Sequence, residues 1–153
     1  HEVPYPLGDE MLATWRAYRA DLGAALDAGD RGEALLLFMR LAGSPMEQIP
    51  AAGTDPVWDA LRTLAPTLRY DAACLGDGEP PAERIATVTA PVLLTTGVTI
   101  DPHSAELPVD FFGAASDAVA AILPDARRVT LELPGHVADP ALIGPILKEF
   151  FLT

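Results

Sequence analysis

A chain of 153 residues, half of them hydrophobic, is long enough to bury a core and has the composition of a globular protein. Its 22 acidic residues outnumber its 10 basic residues, which gives a formal net charge of −12 at pH 7. A surface with this charge repels phosphate backbones and anionic lipids, so we expect no nucleic-acid partner and no membrane association. No apolar run approaches the ~20 residues that span a bilayer.

The first 80 residues predict helices after a short extended segment. Residues 1–8 hold two prolines and a glycine and should be extended. From Asp9 onward apolar residues recur at helical spacing, and Asp9 is predicted to cap the first helix. The sequence Ser44-Pro45-Met46-Glu47 has the form of a capping box with proline at the first helical position, which predicts a short helix. The predicted helices begin at residues 9, 31, 44, 55 and 67.

After the linker at residues 76–81, the pattern changes to alternating strands and helices. Residues 90–97 are an apolar run rich in β-branched side chains, which predicts a buried strand, and residues 127–133 alternate as a second strand. Helices are predicted at residues 111–123 and after Asp139. This order is typical of a parallel sheet in an α/β fold. Because two strands do not form an independently stable sheet, the sequence predicts further strands from another segment, a second chain or a second copy.

His136 directly follows the second predicted strand, in the sequence Pro134-Gly135-His136. A histidine there lies at the carboxyl edge of the sheet, where open α/β sheets bind ligands. Imidazole suits that place because it exchanges a proton near neutral pH. The alternative is a loop histidine that only bonds nearby backbone. The other histidines, His1 and His103, are distant in sequence and no Cys/His cluster occurs, so we expect no metal site. The single cysteine, Cys74, gives no sign of an oxidising compartment, and we expect a cytoplasmic location.

The order of these segments resembles the closing third of the α/β-hydrolases. The residues that carry the resemblance are Ala90-Pro91-Val92-Leu93-Leu94-Thr95-Thr96-Gly97, Leu123-Pro124-Asp125-Ala126, Pro134-Gly135-His136 and Phe150-Phe151. Residues 29–34 and 64–71 resemble parts of a lid inserted before the penultimate strand. The resemblance implies the fold class α/β, as the C-terminal part of an α/β-hydrolase. It divides the chain into an extended lead-in from the core at 1–8, a helical lid at 9–80 and the C-terminal part of the core at 81–153.

The resemblance also implies catalytic roles. In this family the histidine after the final strand is the catalytic base, which is the role implied for His136. Many members place the triad acid shortly after the penultimate strand, and Asp101, four residues after Gly97, lies one residue beyond that spacing. Some relatives place the acid after the preceding strand, a position that Glu2 resembles. Otherwise Asp101 is a turn residue and Glu2 a frayed terminal residue. The sequence leaves both open and slightly favours Glu2.

The nucleophile of the family has no counterpart in this sequence. The family places it in a Gly-x-Ser-x-Gly elbow between a strand and a helix. Ser44 has the context of a helix cap, Ser104 lies in a long loop, and Ser116 lies inside a predicted helix. The oxyanion-hole loop, which the family places near the start of the fold, has no counterpart either.

We therefore expect an N-terminal portion to supply the nucleophile and oxyanion hole. The complete site would hydrolyse an ester-like small molecule and would need no metal or organic cofactor. The lid could line an apolar pocket with Trp15, Phe38, Met39 and Trp58, although such residues more often form helix-packing core. Two alternatives are a non-catalytic half-hydrolase that binds a partner or self-associates, and a serine-independent cyclase or isomerase that uses the lid cavity.

Overall fold

A computed structural model describes residues 1–49, 56–99, 101–134 and 137–152. The α-helices are α1 (Asp9–Asp27), α2 (Arg31–Leu41), α3 (Pro56–Leu64), α4 (Leu68–Leu75), α5 (Ala82–Ile85), α6 (Phe111–Ala120) and α7 (Pro140–Leu152). The strands are β1 (Val92–Thr99) and β2 (Ala126–Pro134), and short 3-10 helices occur at Met46–Gln48, Ala65–Thr67 and Pro102–Ser104. The predicted strands and the helices around them are therefore present in the expected order.

The chain forms two compact units. The helical unit contains residues 6–79 together with residues 103–107, and the sheet unit contains residues 1–5, 80–102 and 108–153. Residues 103–107 join the helices at the turn after α2, where the Glu106 N–H donates to the Gly43 carbonyl at 3.0 Å. Gly43 has a φ of 74°, and a Cβ there would lie 2.8 Å from the Leu107 nitrogen, so this close approach requires glycine.

The core of the helical unit forms between α1, α2, α4 and the 3-10 helix before α4. Along α1 the buried residues Leu12, Trp15, Tyr18 and Leu22 recur at the spacing of one helix face. The seven residues of the buried cluster are Trp15, Tyr18, Leu22, Ala34, Ala65, Leu68 and Ala72. The Trp15 indole satisfies its polar atom by donating from Nε1 to the Gly76 carbonyl at 3.2 Å. Burial of Tyr18, and secondarily the charge of Asp71, raise the pKa of the Tyr18 phenol to about 12.

Helix ends in this unit differ from the predictions at two places. Asp9 is the first residue of α1 rather than its cap, because Gly8 holds the N-cap position and makes no side-chain bond. The predicted capping box gives only the 3-10 helix Met46–Gln48, where Pro45 holds the N-cap position and has no side chain that can accept a hydrogen bond. Asp55, predicted to cap α3, lies outside the described residues.

In the sheet unit, β1 and β2 are parallel, with Val92 opposite Ala126 and Thr99 opposite Pro134. A register irregularity falls between Gly97 and Thr99, near the end of β1. Helix α6 is next to both strands in the sheet unit, and its residues Ala115, Ser116 and Val119 are buried.

Arg128 connects α6 to the two strands by hydrogen bonds. From β2 its Nε donates to Asp117 Oδ1 at 2.7 Å and its Nη2 to the Gly113 carbonyl at 3.4 Å, both in α6. Its Nη1 donates to Thr96 Oγ1 of β1 at 3.4 Å. One side chain therefore contacts three elements of the sheet unit.

Helix α7 has a largely apolar sequence, yet its side chains are poorly buried. The cap predicted for it is confirmed, since the Ala141 N–H donates to Asp139 Oδ1 at 2.8 Å. None of its described residues is buried, and Phe151 and Leu152 are each 75% exposed. A helix this apolar requires a further apolar surface to pack against. Together with a sheet of two described strands, it identifies the unit as one part of a larger α/β fold.

Candidate active site

The carboxyl ends of the two parallel strands define the candidate site. Thr99 near the end of β1 lies opposite Pro134 at the end of β2, so both strands end at the same edge of the sheet. His136 follows β2 by two residues and, with Gly135, lies outside the described residues. Pro134, the last residue of β2 and two residues before His136 in the sequence, lies at this edge.

Glu2 lies near the carboxyl end of β1, on the side of that strand away from β2. Its backbone N–H donates to the Thr95 carbonyl at 2.8 Å, and its Oε1 accepts from the Gly97 N–H at 3.1 Å. In a parallel ladder, one residue of the neighbouring strand donates to one carbonyl and accepts from the N–H two residues later. Glu2 reproduces that pattern, except that its side-chain oxygen replaces its backbone carbonyl. It therefore ends a strand-like pairing along β1.

The backbone of Glu2 is strained at this point. Its φ of 51° is in the left-handed region, which costs a side-chain-bearing residue about 1–2 kcal/mol. The two hydrogen bonds to β1 hold the residue there, and only 7% of its surface is exposed. A buried carboxylate fixed by strand backbone at a site edge is consistent with a functional acid.

The His1 imidazole lies beside this carboxylate. Its Nε2 is 3.7 Å from Glu2 Oε1, and its Nδ1 is 3.0 Å from Thr95 Oγ1. Neither His1 nor Thr95 is a site residue that the sequence predicts. The contact between His1 and Thr95 joins residues 94 positions apart, so no local spacing could have indicated it.

Asp101, the second predicted acid, lies after β1 and directly before the 3-10 helix Pro102–Ser104. It is half-buried, whereas Glu2 is buried. His103 is exposed and belongs to the helical unit, while Glu2 belongs to the sheet unit.

The three serines have no elbow context in the structure. Ser44 precedes a 3-10 helix and Ser104 ends one. Ser116 lies within α6, is 1% exposed, and its Oγ has no hydrogen-bond partner among the described residues. A nucleophile needs access to substrate, which Ser116 lacks in this structure.

The residues considered for an apolar lid pocket have different environments. Trp15 belongs to the buried cluster of the helical unit, and Trp58 is completely buried. Phe38 is 38% exposed. A separate open cavity of about 280 Å³ on this unit is lined by Leu26, Gly29, Arg31, Pro66, Arg69 and Tyr70. Trp15 is thus core, in line with the more ordinary interpretation of its spacing.

The described residues contain neither a metal-binding cluster nor a membrane-spanning helix. Within ranges 1–49, 56–99, 101–134 and 137–152, no group of three or more His, Cys, Asp and Glu side chains could hold a metal ion. Over those ranges, too, the helices are all too short or too polar to cross a bilayer.

The chain is similar to a solved alpha/beta hydrolase from Sphaerobacter thermophilus DSM 20745, with a TM-score of 0.71 and 31% sequence identity. The similarity covers 98% of this chain and 56% of that chain, so this chain spans little more than half the length of the solved hydrolase. No family model matches the sequence, and no curated protein matches it. The chain has the fold of the C-terminal part of an α/β-hydrolase, which confirms the predicted fold class.

Proposed function

We propose that this chain is the part of an α/β-hydrolase that provides the general base, His136, and the acid that orients it, Glu2. The observation that carries the proposal is the buried Glu2 carboxylate, bonded to the Gly97 N–H where β1 approaches its carboxyl end. A serine-type triad needs an acid in this setting, because a buried carboxylate orients the imidazole and stabilises its charged form. The neighbouring strand ends at the same edge with Pro134, two residues before His136 in the sequence.

The Glu2 environment supports it over Asp101 as the triad acid. Two backbone groups of β1 hold Glu2, so its carboxylate has one fixed position relative to the strand ends. Asp101 lies beyond the end of β1, before a 3-10 helix that leads into the helical unit. A triad acid must hold its position closely, and backbone bonds to a strand provide this better than a loop does.

The nucleophile and oxyanion hole come, in this proposal, from an N-terminal portion. Two features support such a portion: the similarity covers only 56% of the solved hydrolase, and the serines of this chain have no elbow context. The exposed apolar surface of α7 and the outer edge of β1 would pack against it. It could be joined to this chain or be a separate polypeptide.

The proposed reaction is acyl transfer to water. The serine of the N-terminal portion attacks the carbonyl carbon of an ester-like small molecule while His136 takes the serine proton. His136 then gives that proton to the leaving alcohol, and an acyl-enzyme remains. Water attacks the acyl group by the same route, and the proton returns to the serine. Glu2 stays ionised throughout, and residues 9–80 act as the lid that shapes the substrate pocket.

The experiment compares two histidine variants in the assembled protein, with this chain and the N-terminal portion together. We expect His136→Ala to abolish turnover of p-nitrophenyl butyrate and to slow labelling of the elbow serine by a fluorophosphonate. His103→Ala is the matched control, because His103 is an exposed histidine of this chain to which the proposal gives no role. Turnover should be unchanged in that control.

Two results would overturn the proposal. Full turnover in His136→Ala would remove the general base. A single folded, monomeric species with the mass of this chain, unlabelled by fluorophosphonate, would exclude a two-part enzyme and leave a non-catalytic half-hydrolase. Intact-mass analysis of the native protein separates these cases, since it detects a covalently labelled N-terminal portion directly.

A further inference from the structure

The His1 imidazole bridges a hydroxyl and a carboxylate on the outer edge of β1. Its Nδ1 is 3.0 Å from Thr95 Oγ1, and its Nε2 is 3.7 Å from Glu2 Oε1. The His1 and Glu2 side chains are 18% and 3% exposed, and Thr95 is 3% exposed. The three polar side chains therefore form a connected row that is largely shielded from water.

The partners of His1 determine its tautomer. A neutral imidazole donates from one nitrogen and accepts at the other. If the Thr95 hydroxyl donates to Nδ1, the ring proton is on Nε2 and faces the Glu2 carboxylate. The other tautomer would direct the Nε2 lone pair at a carboxylate oxygen, which is repulsive. The Glu2 carboxylate therefore favours the Nε2–H tautomer, and the Thr95 hydroxyl, which can donate or accept, fits that tautomer by donating to Nδ1.

Two groups lie close to Glu2 Oε1 in this arrangement. The Gly97 N–H donates to it at 3.1 Å, and His1 Nε2 lies 3.7 Å away, a contact longer than a hydrogen bond. A carboxylate removed from water is costly unless its oxygens have such partners. The Gly97 bond and the His1 contact both restrict the position of this carboxylate.

We propose that His1 and Thr95 are positioning residues, which hold the Glu2 carboxylate in place for its proposed role of orienting His136. This inference rests on the proposed function, because it needs Glu2 as the triad acid. His1 transfers no proton in the reaction and does not touch substrate. It acts only through the carboxylate.

The kinetic experiment uses the assembled protein and p-nitrophenyl butyrate. Loss of a supporting partner of a catalytic group typically costs 10–100-fold, so we expect Thr95→Val and His1→Ala each to lower kcat by roughly 10-fold. KM should stay unchanged, because neither side chain contacts substrate. Thr95→Ser restores the hydroxyl and should rescue kcat. Thr130→Val, an exposed position on β2, is the matched control for the lost hydroxyl.

A second measurement tests the positioning row without catalysis. Long-range proton–nitrogen correlation spectra of the assembled protein report which His1 nitrogen carries the proton. We expect the Nε2–H form, and we expect Thr95→Val to convert it to a tautomer mixture. Thr95→Ser should retain the Nε2–H form. An unchanged spectrum in Thr95→Val would overturn the inference even if that variant were too unstable for kinetics.

The outcomes separate this inference from the proposed function. Unchanged kcat in both Thr95→Val and His1→Ala, with activity lost in Glu2→Gln, would overturn the positioning role and leave Glu2 as the acid. Unchanged kcat in Glu2→Gln would remove the acid itself, and the positioning role with it. A rise in KM with constant kcat would show that His1 contributes to substrate binding and would also overturn the inference.

Discussion

The Oε1 atom of Glu2 accepts a hydrogen bond of 3.1 Å from the backbone N–H of Gly97, although the two residues are 95 positions apart in the chain. A neighbouring parallel strand would use the same N–H for its own carbonyl. The carboxylate oxygen therefore takes the place of the backbone carbonyl that a neighbouring parallel strand would present to this N–H. An acid held in this way has a fixed position as long as β1 is intact. A fixed position suits a group that must orient a catalytic imidazole.

The first prediction distinguishes the two candidate acids. Glu2→Gln keeps an oxygen that can accept from the Gly97 N–H, so the fold should persist while the negative charge is lost. We expect kcat to fall by about 10⁴-fold, as it does when a triad acid becomes an amide. Asp101→Asn should change kcat little. Steady-state kinetics of both variants with p-nitrophenyl butyrate measure the difference, and the reverse pattern would assign the acid to Asp101.

The second prediction concerns the outer edge of β1. The Val92 N–H donates to the Asp125 carbonyl at 2.9 Å, so the amides of Val92 and Leu94 face β2. The amide of Leu93, between them, faces the opposite edge. We expect Leu93 to be protected from hydrogen exchange only in the assembled protein, where a further parallel strand would accept its N–H. Leu94 should be protected wherever β1 and β2 are paired.

Residue-resolved hydrogen exchange of this chain, alone and assembled, measures both amides. Leu94 serves as the internal control for folding, since it reports the β1–β2 pair itself. Equal protection of Leu93 in the two samples would mean that this edge does not receive a strand from the N-terminal portion.

How far the sequence predicts the molecule depends on the range of the interactions. The strands and helices of the sheet unit follow from local apolar patterns, which is why the predicted strands at 90–97 and 127–133 overlap β1 (Val92–Thr99) and β2 (Ala126–Pro134). The helix predicted at Ser44 failed locally, because Pro45 holds the cap position and only a 3-10 helix forms. The environment of Glu2 could not be predicted, since its partners Thr95 and Gly97 are brought to it by sheet pairing. Its candidacy came from family resemblance alone.

The third prediction concerns the Arg128 bonds that fasten α6 to the strands. Arg128→Met removes the partner of Asp117 and of the buried Thr96 hydroxyl, and we expect it to lower the free energy of unfolding by about 1–3 kcal/mol. Arg127→Met is the matched control in the adjacent position. Its ion pair with Glu149 joins side chains that are 47% and 58% exposed, so its loss should cost only about 0–1 kcal/mol.

Urea unfolding of the assembled protein, followed by circular dichroism, measures both variants. Equal losses for Arg127→Met and Arg128→Met would show that the three bonds of Arg128 contribute no more than a surface ion pair.

The last prediction concerns alkaline stability and Tyr18. Burial first, and the charge of Asp71 second, raise the pKa of this phenol from 10.0 to about 12. Between these values the unfolded chain loses the phenolic proton and the folded chain keeps it. The stabilisation that Tyr18 contributes is therefore fully present below pH 10. The free energy of unfolding falls as the pH rises from 10 towards 12. The fall should be about 1.4 kcal/mol per pH unit and on the order of 2–3 kcal/mol in total.

The sequence favours a clean measurement of this effect. Lys148 is the single lysine of this chain, so few of its groups besides its three tyrosines titrate between pH 10 and 12, and the comparison of Tyr18→Phe with the unchanged protein cancels the groups of any N-terminal portion. Urea unfolding at pH 9 and pH 11.5 should show a large loss of stability in the unchanged protein and a much smaller one in Tyr18→Phe. Tyr70, which is 72% exposed, gives the control variant Tyr70→Phe, which should retain the loss. If Tyr18→Phe and Tyr70→Phe behave alike, the alkaline transition does not originate in the buried Tyr18 phenol.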